Sequence, residues 1–316
     1  MFQIAGETLH VYFLGTAAAL PTTNKNPSSI MIRRGSDTIL FDCGEGTQQQ
    51  MMRAKTGFVV DAVFITHWHA DHFLGVLGLT QTMSFIGRTD PLDIYGPKGV
   101  QEFAAQVRNI GNCHINFPLR AHVLADGDSV RFDGYSIRAF SVDHHIRGLG
   151  YALIEDDRPG RFDRECAVEL GIRPGPDFGR LQRGETVTIT DDNGEEKEIV
   201  PSDVMGAPRP GRKVVYTGDT RPVTERMKEF GEGADLLIHD ATYDDSEQER
   251  AREVYHSTAG EAGDAAEELN VIMLALTHIS SRYTSTANHI QDANNNFKGQ
   301  VIAPDDREVV QIPFRG

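Results

Sequence analysis

The chain has 316 residues, 39% of them hydrophobic, and its 46 acidic residues outnumber its 31 basic residues, which gives a net charge of −15. This length and apolar content predict one large α/β domain with insertions. Because the sequence lacks an apolar run of about 18 residues and a basic, cleavable leader, we expect neither a membrane span nor a secretory signal.

The first half of the chain shows strand signals followed by helix signals. Runs of β-branched and apolar residues between turn residues predict strands at 8–15, 29–34, 37–43, 62–67 and 92–96. Apolar residues at helical spacing predict helices at 46–55, 72–85 and 98–109. The strands therefore begin as a meander and later alternate with helices.

The second half of the chain repeats this order. Strands are predicted at 135–142, 149–154, 213–218, 235–239 and 271–277, and helices at 222–231 and 257–268. The last helix has a clear start, because Ser257 or Thr258 can cap it and Glu261 stands three residues after Thr258, as in a capping box.

Residues at about 157–210 differ from both halves. They are rich in proline, glycine and charge, as in "RPGPDFGRLQRGETV", and they hold few apolar residues at regular spacing. This composition predicts a projecting insertion with a short strand or two, and it leaves open a disordered linker between two domains.

The three cysteines, Cys43, Cys113 and Cys166, are odd in number and widely spaced. That pattern argues against a disulfide framework and a CxxC zinc site, and it predicts a reducing cytoplasm.

The segment "THWHADH" places His67, His69, Asp71 and His72 directly after an apolar run. In a strand, alternate residues share a face, so His67 and His69 would point to one side, and the other two follow as the chain turns into a helix. Imidazole and carboxylate are the ligands that Zn²⁺ takes where thiolates are absent. This density of ligands favours a metal site over solvated loop histidines.

Later apolar strands also end in polar side chains. His144 and His145 follow one strand, Asp219 follows "KVVYTG", and His278 follows "VIMLALT". Neighbouring strands of a twisted sheet bring their ends together, so the pattern favours one convergent site over separate loop residues. Spacing alone does not choose between His144 and His145.

With these residues in view, the chain resembles the metallo-β-lactamase superfamily and, within it, the ribonuclease Z branch of tRNA 3′-processing endonucleases, as a short form of archaeal type. The motifs that carry the resemblance are "FLGTAAALPTTNKNPSS", "FDCGEGTQQQ", "HWHADH", "HIRGLGY", "ADLLIHDATY", "HSTAGEAG" and "LTHISSRY", from about residue 10 to residue 285. Gly150 and Tyr151 stand at the family's distance from His144, which selects His144 over His145.

The resemblance implies an α/β fold, a four-layer αββα metallo-β-lactamase sandwich. A single domain would cover 1–316, with about 157–210 as a flexible arm for tRNA binding. It also implies a zinc-dependent endoribonuclease of the cytoplasm that removes the 3′ trailer of precursor tRNA. A metal-activated hydroxide would attack the phosphodiester 3′ of the discriminator nucleotide and leave a tRNA 3′-hydroxyl. The implied protein is a homodimer with two Zn²⁺ per subunit and no membrane partner.

The resemblance also implies roles for particular side chains. One Zn²⁺ would be held by His67, His69 and His144 and the other by Asp71, His72 and His278, with Asp219 bridging them. Asp71 would also orient the attacking water or take its proton. His256 of "HST" would be the general acid, and its partner is Asp240, one methylene shorter than the glutamate that the family has there.

Predicted RNA contacts are Arg180, Arg183 and Arg282. The net negative charge argues against a nucleic-acid partner, because phosphate contacts need Lys and Arg. A local positive patch is sufficient, however, and Arg180 and Arg183 lie together in the insertion, although Asp177 and Glu185 lie among them.

Two alternatives remain at this stage. The first is a small-molecule hydrolase, such as a phosphodiesterase or a lactonase, on the same dinuclear site. The second is a non-catalytic module with structural zinc, which the ligand count argues against, because structural sites are usually closed four-ligand tetrahedra.

Other polar residues receive simpler interpretations. Asp42 is expected to fix the tautomer of a ligand histidine, and Cys43 is expected to be a small buried hydrophobe. His239 is left between loop packing and a supporting role. The remaining histidines are interpreted as structural or solvated: His10, His114, His122, His145 and His289.

Overall fold

The computed structural model describes residues 8–111, 114–190, 194–222 and 224–315, so Cys113 lies outside the described part of the chain. The chain divides into a larger unit, Met1–Ile154 with Arg212–Phe314, and a smaller unit, Glu155–Gly211 with Arg315. The chain before and after the insertion therefore belongs to one unit, which favours an insertion over a linker between two domains.

The first part of the larger unit contains the predicted strands and helices in the predicted order, with two further strands between residues 119 and 132. Its elements are β1 (Leu9–Gly15), β2 (Ser29–Arg34), β3 (Asp37–Phe41), α1 (Thr47–Arg53), β4 (Ala62–Phe64), α2 (Ala70–Phe73), α3 (Gly75–Phe85), β5 (Leu92–Gly96), α4 (Val100–Asn109), β6 (Leu119–Val123), β7 (Ser129–Phe132), β8 (Tyr135–Ser141) and β9 (Leu149–Glu155).

The smaller unit contains helices as well as the expected short strands. Its elements are α5 (Arg164–Glu169), α6 (Pro176–Gln182), β10 (Val187–Thr190), β11 (Glu196–Ile199) and a 3₁₀ turn at Pro201–Asp203. A small apolar cluster holds them together, formed by Ala167, Ile172, Leu181, Val187, Ile199 and Val204. The sequence did not predict the helices, because these apolar residues are too few to show a periodic pattern.

The rest of the larger unit follows the insertion. Its elements are β12 (Lys213–Tyr216), α7 (Glu225–Gly231), β13 (Leu236–Asp240), a 3₁₀ turn at Asp245–Glu247, α8 (Gln248–Glu253), α9 (Ala259–Glu268), β14 (Met273–Thr277), α10 (Ala287–Asn296), β15 (Gln300–Ile302) and β16 (Val309–Gln311). Thr258 caps α9 and exchanges hydrogen bonds with Glu261, which confirms the predicted capping box.

Two sheets of the larger unit share one plan. The first has the order β16-β1-β2-β3-β4-β5-β6, antiparallel up to β3 and parallel from β3 onward. The second has the order β15-β14-β13-β12-β9-β8-β7, and its strands β12 to β15 are parallel. The predicted change from meander to alternation with helices is therefore confirmed in both halves.

The four-layer αββα sandwich is also confirmed. Alternate residues of β1, Leu9, Val11 and Phe13, join Tyr151 and Ile238 of the second sheet in a buried central cluster. The outer face of the first sheet packs on α1, α3 and α4, and the outer face of the second packs on α7, α9 and α10. Each sheet thus lies between a layer of helices and the other sheet.

Several short or polar elements were not predicted. Strand β7 has no fully buried residue, and α10, "ANHIQDANNN", is rich in asparagine, which favours helices weakly. The predicted strand 62–67 ends early, at Phe64. None of the helices within the described ranges is both long and apolar enough to cross a bilayer.

Candidate metal centre

The candidate ligands lie where strands of the two sheets end. The segment 66–72 follows β4 of the first sheet, whereas His144, Asp219 and His278 follow β8, β12 and β14 of the second. Loops at the carboxyl ends of parallel strands are the usual place for a site in an open α/β sheet. Both sheets therefore contribute to one cluster of polar side chains.

His67 and His69 converge for a different reason than predicted. Both lie in the loop after β4 and not in the strand, so the alternation of strand side chains does not explain their position. His69 is the residue before α2 and has an extended backbone (φ −83°, ψ 141°). The first turn of α2 then carries Asp71 and His72, so a loop and a helix start supply this part of the site.

The first cluster consists of His67, His69, His144 and Asp219. The Nε2 atom of His67 lies 2.9 Å from Nδ1 of His69 and 3.5 Å from Oδ2 of Asp219. The Nε2 atom of His144 lies 3.3 Å from Nδ1 of His69 and 3.9 Å from the same carboxylate oxygen. The structure thus brings in His144 and leaves the neighbouring His145 exposed.

The second cluster consists of Asp71, His72, His278 and the other oxygen of Asp219. Oδ1 of Asp219 lies 3.3 Å from Nε2 of His72 and 3.3 Å from Nε2 of His278. Oδ2 of Asp71 lies 3.5 Å and 3.3 Å from the same two nitrogens. Asp219 therefore directs one oxygen into each cluster.

These donor sets fit metal ions. A tetrahedral zinc with bonds of about 2.0–2.1 Å separates its ligand atoms by roughly 3.3–3.4 Å, and the distances above scatter around that value. The ligand atoms of the first cluster all lie within 4.8 Å of one another, and so do those of Asp71, His72 and His278 in the second. Nε2 of His72 and Oδ1 of Asp219 are buried and have no hydrogen-bond partner among the residues that the structure describes, as expected of atoms that face a cation.

The electrostatics of the clusters also suit cations. Burial lowers the pKa values of His67, His69 and His144, which keeps these imidazoles neutral and able to bind a metal. Burial acts in the same direction on His72, but the carboxylates of Asp219 and Asp42 outweigh it and raise the pKa of His72. Positive charge is therefore favoured at this position, whether as a proton or as a metal ion.

Fixed partners orient the ligand histidines. Nδ1–H of His72 donates to Oδ2 of Asp42 at 2.7 Å, and Nδ1–H of His67 donates to Oγ1 of Thr66 at 3.0 Å. The Thr66 hydroxyl donates in turn to Asp42. With the proton on Nδ1, Nε2 is left as the ligand atom. Asp42 thus makes the tautomer-fixing contact expected from the sequence.

Thr242 orients a third ligand. Its hydroxyl donates to Oδ1 of Asp240 at 2.7 Å, so its oxygen accepts Nδ1–H of His278 at 2.9 Å. Nε2 of His278 is thereby directed into the second cluster. Thr242 was not predicted as a functional residue because threonine is common in loops. Its position, two residues after the last residue of a buried strand, was the only available signal.

His256 lies beside both clusters but is held by another carboxylate. Its Nδ1 lies 2.8 Å from Oδ2 of Asp240, and its Nε2 lies 4.0 Å from Oδ2 of Asp219. Burial lowers the pKa of His256, but Asp240 and Asp219 outweigh burial and raise it to about 9. The shorter Asp240 therefore reaches the imidazole directly, and His256 carries a proton near neutral pH.

The backbone around the site includes conformations with positive φ. Gly218, just before Asp219, has φ 62°, and a Cβ there would lie 2.9 Å from the Thr66 side chain, so only glycine fits. Asp42 and His278 have φ 56° and 58° without being glycine. Such strain is found most often at functional sites, where the surrounding structure maintains it.

The predicted RNA-binding arginines are exposed and paired with acidic neighbours. Arg180 lies 3.2 Å from Asp177 and 3.3 Å from Glu185, and Arg183 lies 2.9 Å from Glu185. Arg282 pairs with Glu247 at 3.3 Å and lies over the ring of Tyr243. Their role in RNA binding stays a prediction.

Other polar residues of the sequence analysis lie outside the clusters. Burial raises the pKa of Cys43 to about 12, which keeps this thiol neutral, and Cys166 is a free thiol. His239 is fully buried, and its Nδ1 contacts the carbonyl of Asp240. His289 is buried against Tyr283.

Family models match two parts of the chain. The model described as "Anti-Pycsar protein Apyc1" matches residues 9–158, and the model described as "Beta-lactamase superfamily domain" matches residues 182–279. The second match agrees with the superfamily that the metal motif resembles.

Similar proteins cover nearly the whole chain. A Ribonuclease Z of Methanosarcina mazei is 49% identical over 308 residues, which are 97% of this chain and 99% of that protein. A Ribonuclease Z of Myxococcus xanthus is 47% identical over 308 residues, with the same coverage.

A solved structure supports the same relationship. The short form of human tRNase Z superposes with a TM-score of 0.70 at 26% identity, over 96% of this chain and 100% of that one. The metallo-β-lactamase fold protein YhfI from Bacillus subtilis superposes with a TM-score of 0.67 over 96% of this chain and 99% of that one; at 19% identity it shows the fold alone.

Proposed function

This chain belongs to the ribonuclease Z family of the metallo-β-lactamase superfamily, and from that premise we propose that it removes the 3′ trailer of precursor tRNA. The cut falls 3′ of the discriminator nucleotide and leaves a 3′-hydroxyl on the tRNA. The observation that carries this proposal is the pair of clusters that share Asp219, with His256 hydrogen-bonded to Asp240 next to them.

The residues proposed to hold two Zn²⁺ per subunit are those of the two clusters. His67, His69 and His144 would hold one ion, Asp71, His72 and His278 would hold the other, and Asp219 would contribute to both. Two bound ions would supply a water of lowered pKa and would stabilise the negative charge that develops on the phosphate. The two oxygens of Asp219, one facing each cluster, support this arrangement.

Asp71 combines two contacts that suit it to orient the attacking water. Its Oδ2 faces Nε2 of His278 and also accepts the backbone N–H of Ala19 at 2.9 Å. Asp71 is 12% exposed, more than the other carboxylates of the site, so it remains accessible to water. Burial raises the pKa of Asp71, but hydrogen bonds with His278 and His72 outweigh burial and hold that pKa well below its usual range. The carboxylate therefore stays ionised and can orient a water molecule by accepting its hydrogen bond.

His256 is the proposed general acid for the leaving group. The ribose 3′-oxygen of the discriminator nucleotide leaves as an alkoxide and needs a proton. Asp240 accepts Nδ1–H of His256, which directs Nε2–H toward the clusters. With a pKa raised to about 9, the imidazole holds the proton that it must donate at neutral pH.

The protein is proposed to act as a cytoplasmic homodimer.

The insertion is the proposed tRNA-binding arm. Arg180 and Arg183 are exposed, and their acidic partners are exposed too. Solvent screens such pairs strongly, so an RNA phosphate can replace the carboxylates without leaving a buried charge unpaired. Arg282 is proposed to contact RNA phosphate in the same way, since its pair with Glu247 is also partly exposed.

Incubation of the purified protein with a 3′-extended tRNA transcript tests the function. We expect one cut 3′ of the discriminator nucleotide, loss of cleavage with a chelator, and recovery when Zn²⁺ is added back. Mapping both product ends by sequencing gives the position and the chemistry of the cut. Hydrolysis of bis(p-nitrophenyl) phosphate without cleavage of the transcript would instead identify a small-molecule hydrolase.

A further inference from the structure

Tyr255 occupies a backbone position that ordinarily favours glycine. Helix α8 ends just before Val254, and the next turn closes with hydrogen bonds from His256 N–H to Ala251 O at 2.9 Å and from Tyr255 N–H to Arg252 O at 3.3 Å. This is a Schellman-type end, and it puts Tyr255 in the left-handed region, with φ 59°. An aromatic residue with positive φ is strained.

The fold needs this backbone conformation but not the tyrosine side chain. The carbonyl of Tyr255 accepts Nδ1–H of His144 at 2.9 Å and so orients a residue of the first cluster. Glycine would place the same carbonyl in the same position without strain. The backbone contacts therefore do not explain why a large side chain, with its strain, stands here instead of glycine.

The Tyr255 side chain points to solvent beside the centre. It is 41% exposed, and its ring lies 5.9 Å from that of His145, tilted by 49°. His145 is exposed as well and directly follows His144 in the chain. An open aromatic surface thus adjoins the first cluster and His256.

The position of this surface indicates which nucleotide meets it. In the proposed reaction, His256 protonates the 3′-oxygen of the discriminator nucleotide, so residues next to His256 lie on that side of the cut. Unpaired bases stack on aromatic side chains, and such stacking accepts every base because each has a π-face. The discriminator base is therefore the partner that fits.

We propose that Tyr255, with His145 beside it, forms a stacking platform for the base of the discriminator nucleotide. This inference rests on the proposed function. In this role Tyr255 positions the scissile phosphate and takes no part in proton transfer or metal binding through its side chain.

Three variants separate stacking from structure. Tyr255→Gly keeps the left-handed turn and should leave the melting temperature unchanged or higher. Tyr255→Leu keeps a strained side chain but lacks an aromatic ring, and Tyr255→Phe keeps the ring. We expect kcat/KM for a 3′-extended tRNA to fall about 5–150-fold in the glycine and leucine variants and to change little in the phenylalanine variant.

An abasic discriminator nucleotide completes the test. If the base stacks on Tyr255, removal of the base should reduce kcat/KM of the wild-type protein by a similar factor and should not further reduce that of Tyr255→Gly. Equal losses on intact and abasic transcripts would overturn the inference, because they would indicate a role in the loop itself. Failure of the wild-type protein to cut any precursor tRNA would instead refute the proposed function.

Discussion

The metal centre and the insertion both contain many charged side chains, but they arrange them in opposite ways. In the metal centre, Asp219 is buried, and one of its oxygens has no hydrogen-bond partner in the described structure. In the insertion, Arg180 and Arg183 are 44% and 52% exposed, and each pairs with an acidic residue no more than five positions away.

This difference distinguishes a built site from a solvated surface. A buried polar atom without a hydrogen-bond partner lowers stability. Such atoms are therefore expected where a bound ligand supplies the missing partner. Exposed ion pairs between residues close in sequence contribute little to stability, whether they form or break, and they do not indicate which ligand binds. Variants in the two regions should therefore differ greatly in effect.

The largest effect is expected from Asp219→Ala. Because its two oxygens face different clusters, this variant should lose both metal ions together and show no cleavage of precursor tRNA. Metal content by plasma mass spectrometry measures the loss, and Asp305→Ala, an exposed carboxylate paired with Lys25, is the control. Retention of two zinc equivalents would refute the bridging role.

His256→Ala should reduce kcat by about 10²–10⁴-fold, the usual contribution of general acid catalysis. Metal content and tRNA affinity should stay close to wild type, because none of the proposed ligand assignments uses this side chain. Single-turnover kinetics with a binding assay measures the two separately.

The pH profile sharpens this prediction. The general acid must be protonated, so wild-type kcat should fall as pH rises through the raised pKa of His256, about 9. His256→Ala should lack this alkaline decline. An unchanged profile in the variant would assign the proton donor elsewhere.

Thr242→Val should have an intermediate effect. It removes the hydroxyl that fixes Nδ1–H of His278, so affinity for the metal ion of the second cluster should fall about 10–100-fold. Thr242→Ser keeps the hydroxyl and should bind metal normally. Competition with a chromophoric chelator gives both affinities, and equal values for the two variants would remove Thr242 from the site.

The smallest effect is expected from Arg180→Ala combined with Arg183→Ala. The melting temperature should not change, because both pairs are exposed. If these arginines contact phosphates, KM for precursor tRNA should rise and depend less steeply on salt, by about one unit of log–log slope for each contact. Arg226→Ala, equally exposed and ion-paired, is the matched control and should leave that slope unchanged.

The residues of the two clusters were easier to predict than their surroundings because they carry strong sequence signals. His67 to His72 form a dense local motif, and Asp219 and His278 each follow an apolar strand. A loop and not a strand positions His67 and His69, however, so the prediction that they lie on one face of a strand was wrong.

Supporting contacts were harder to predict because they depend on three-dimensional proximity. Thr242 is distinguished only by the two imidazoles and the carboxylate around its hydroxyl. The left-handed conformation of Tyr255 could not be predicted from its residue type, because tyrosine rarely adopts a positive φ. The helices of the insertion were missed because their apolar cluster is small.

The residues proposed to hold each ion come from both sheets, and this has a mechanical consequence. His67 and His72 follow a strand of the first sheet, whereas Asp219 and His278 follow strands of the second, so a bound ion would cross-link the ends of the two sheets. Ligands that bind only the native state raise the free energy of unfolding with their concentration. The concentration of free Zn²⁺ would then determine how stably the two halves of the molecule are held together, and the melting temperature would rise with that concentration.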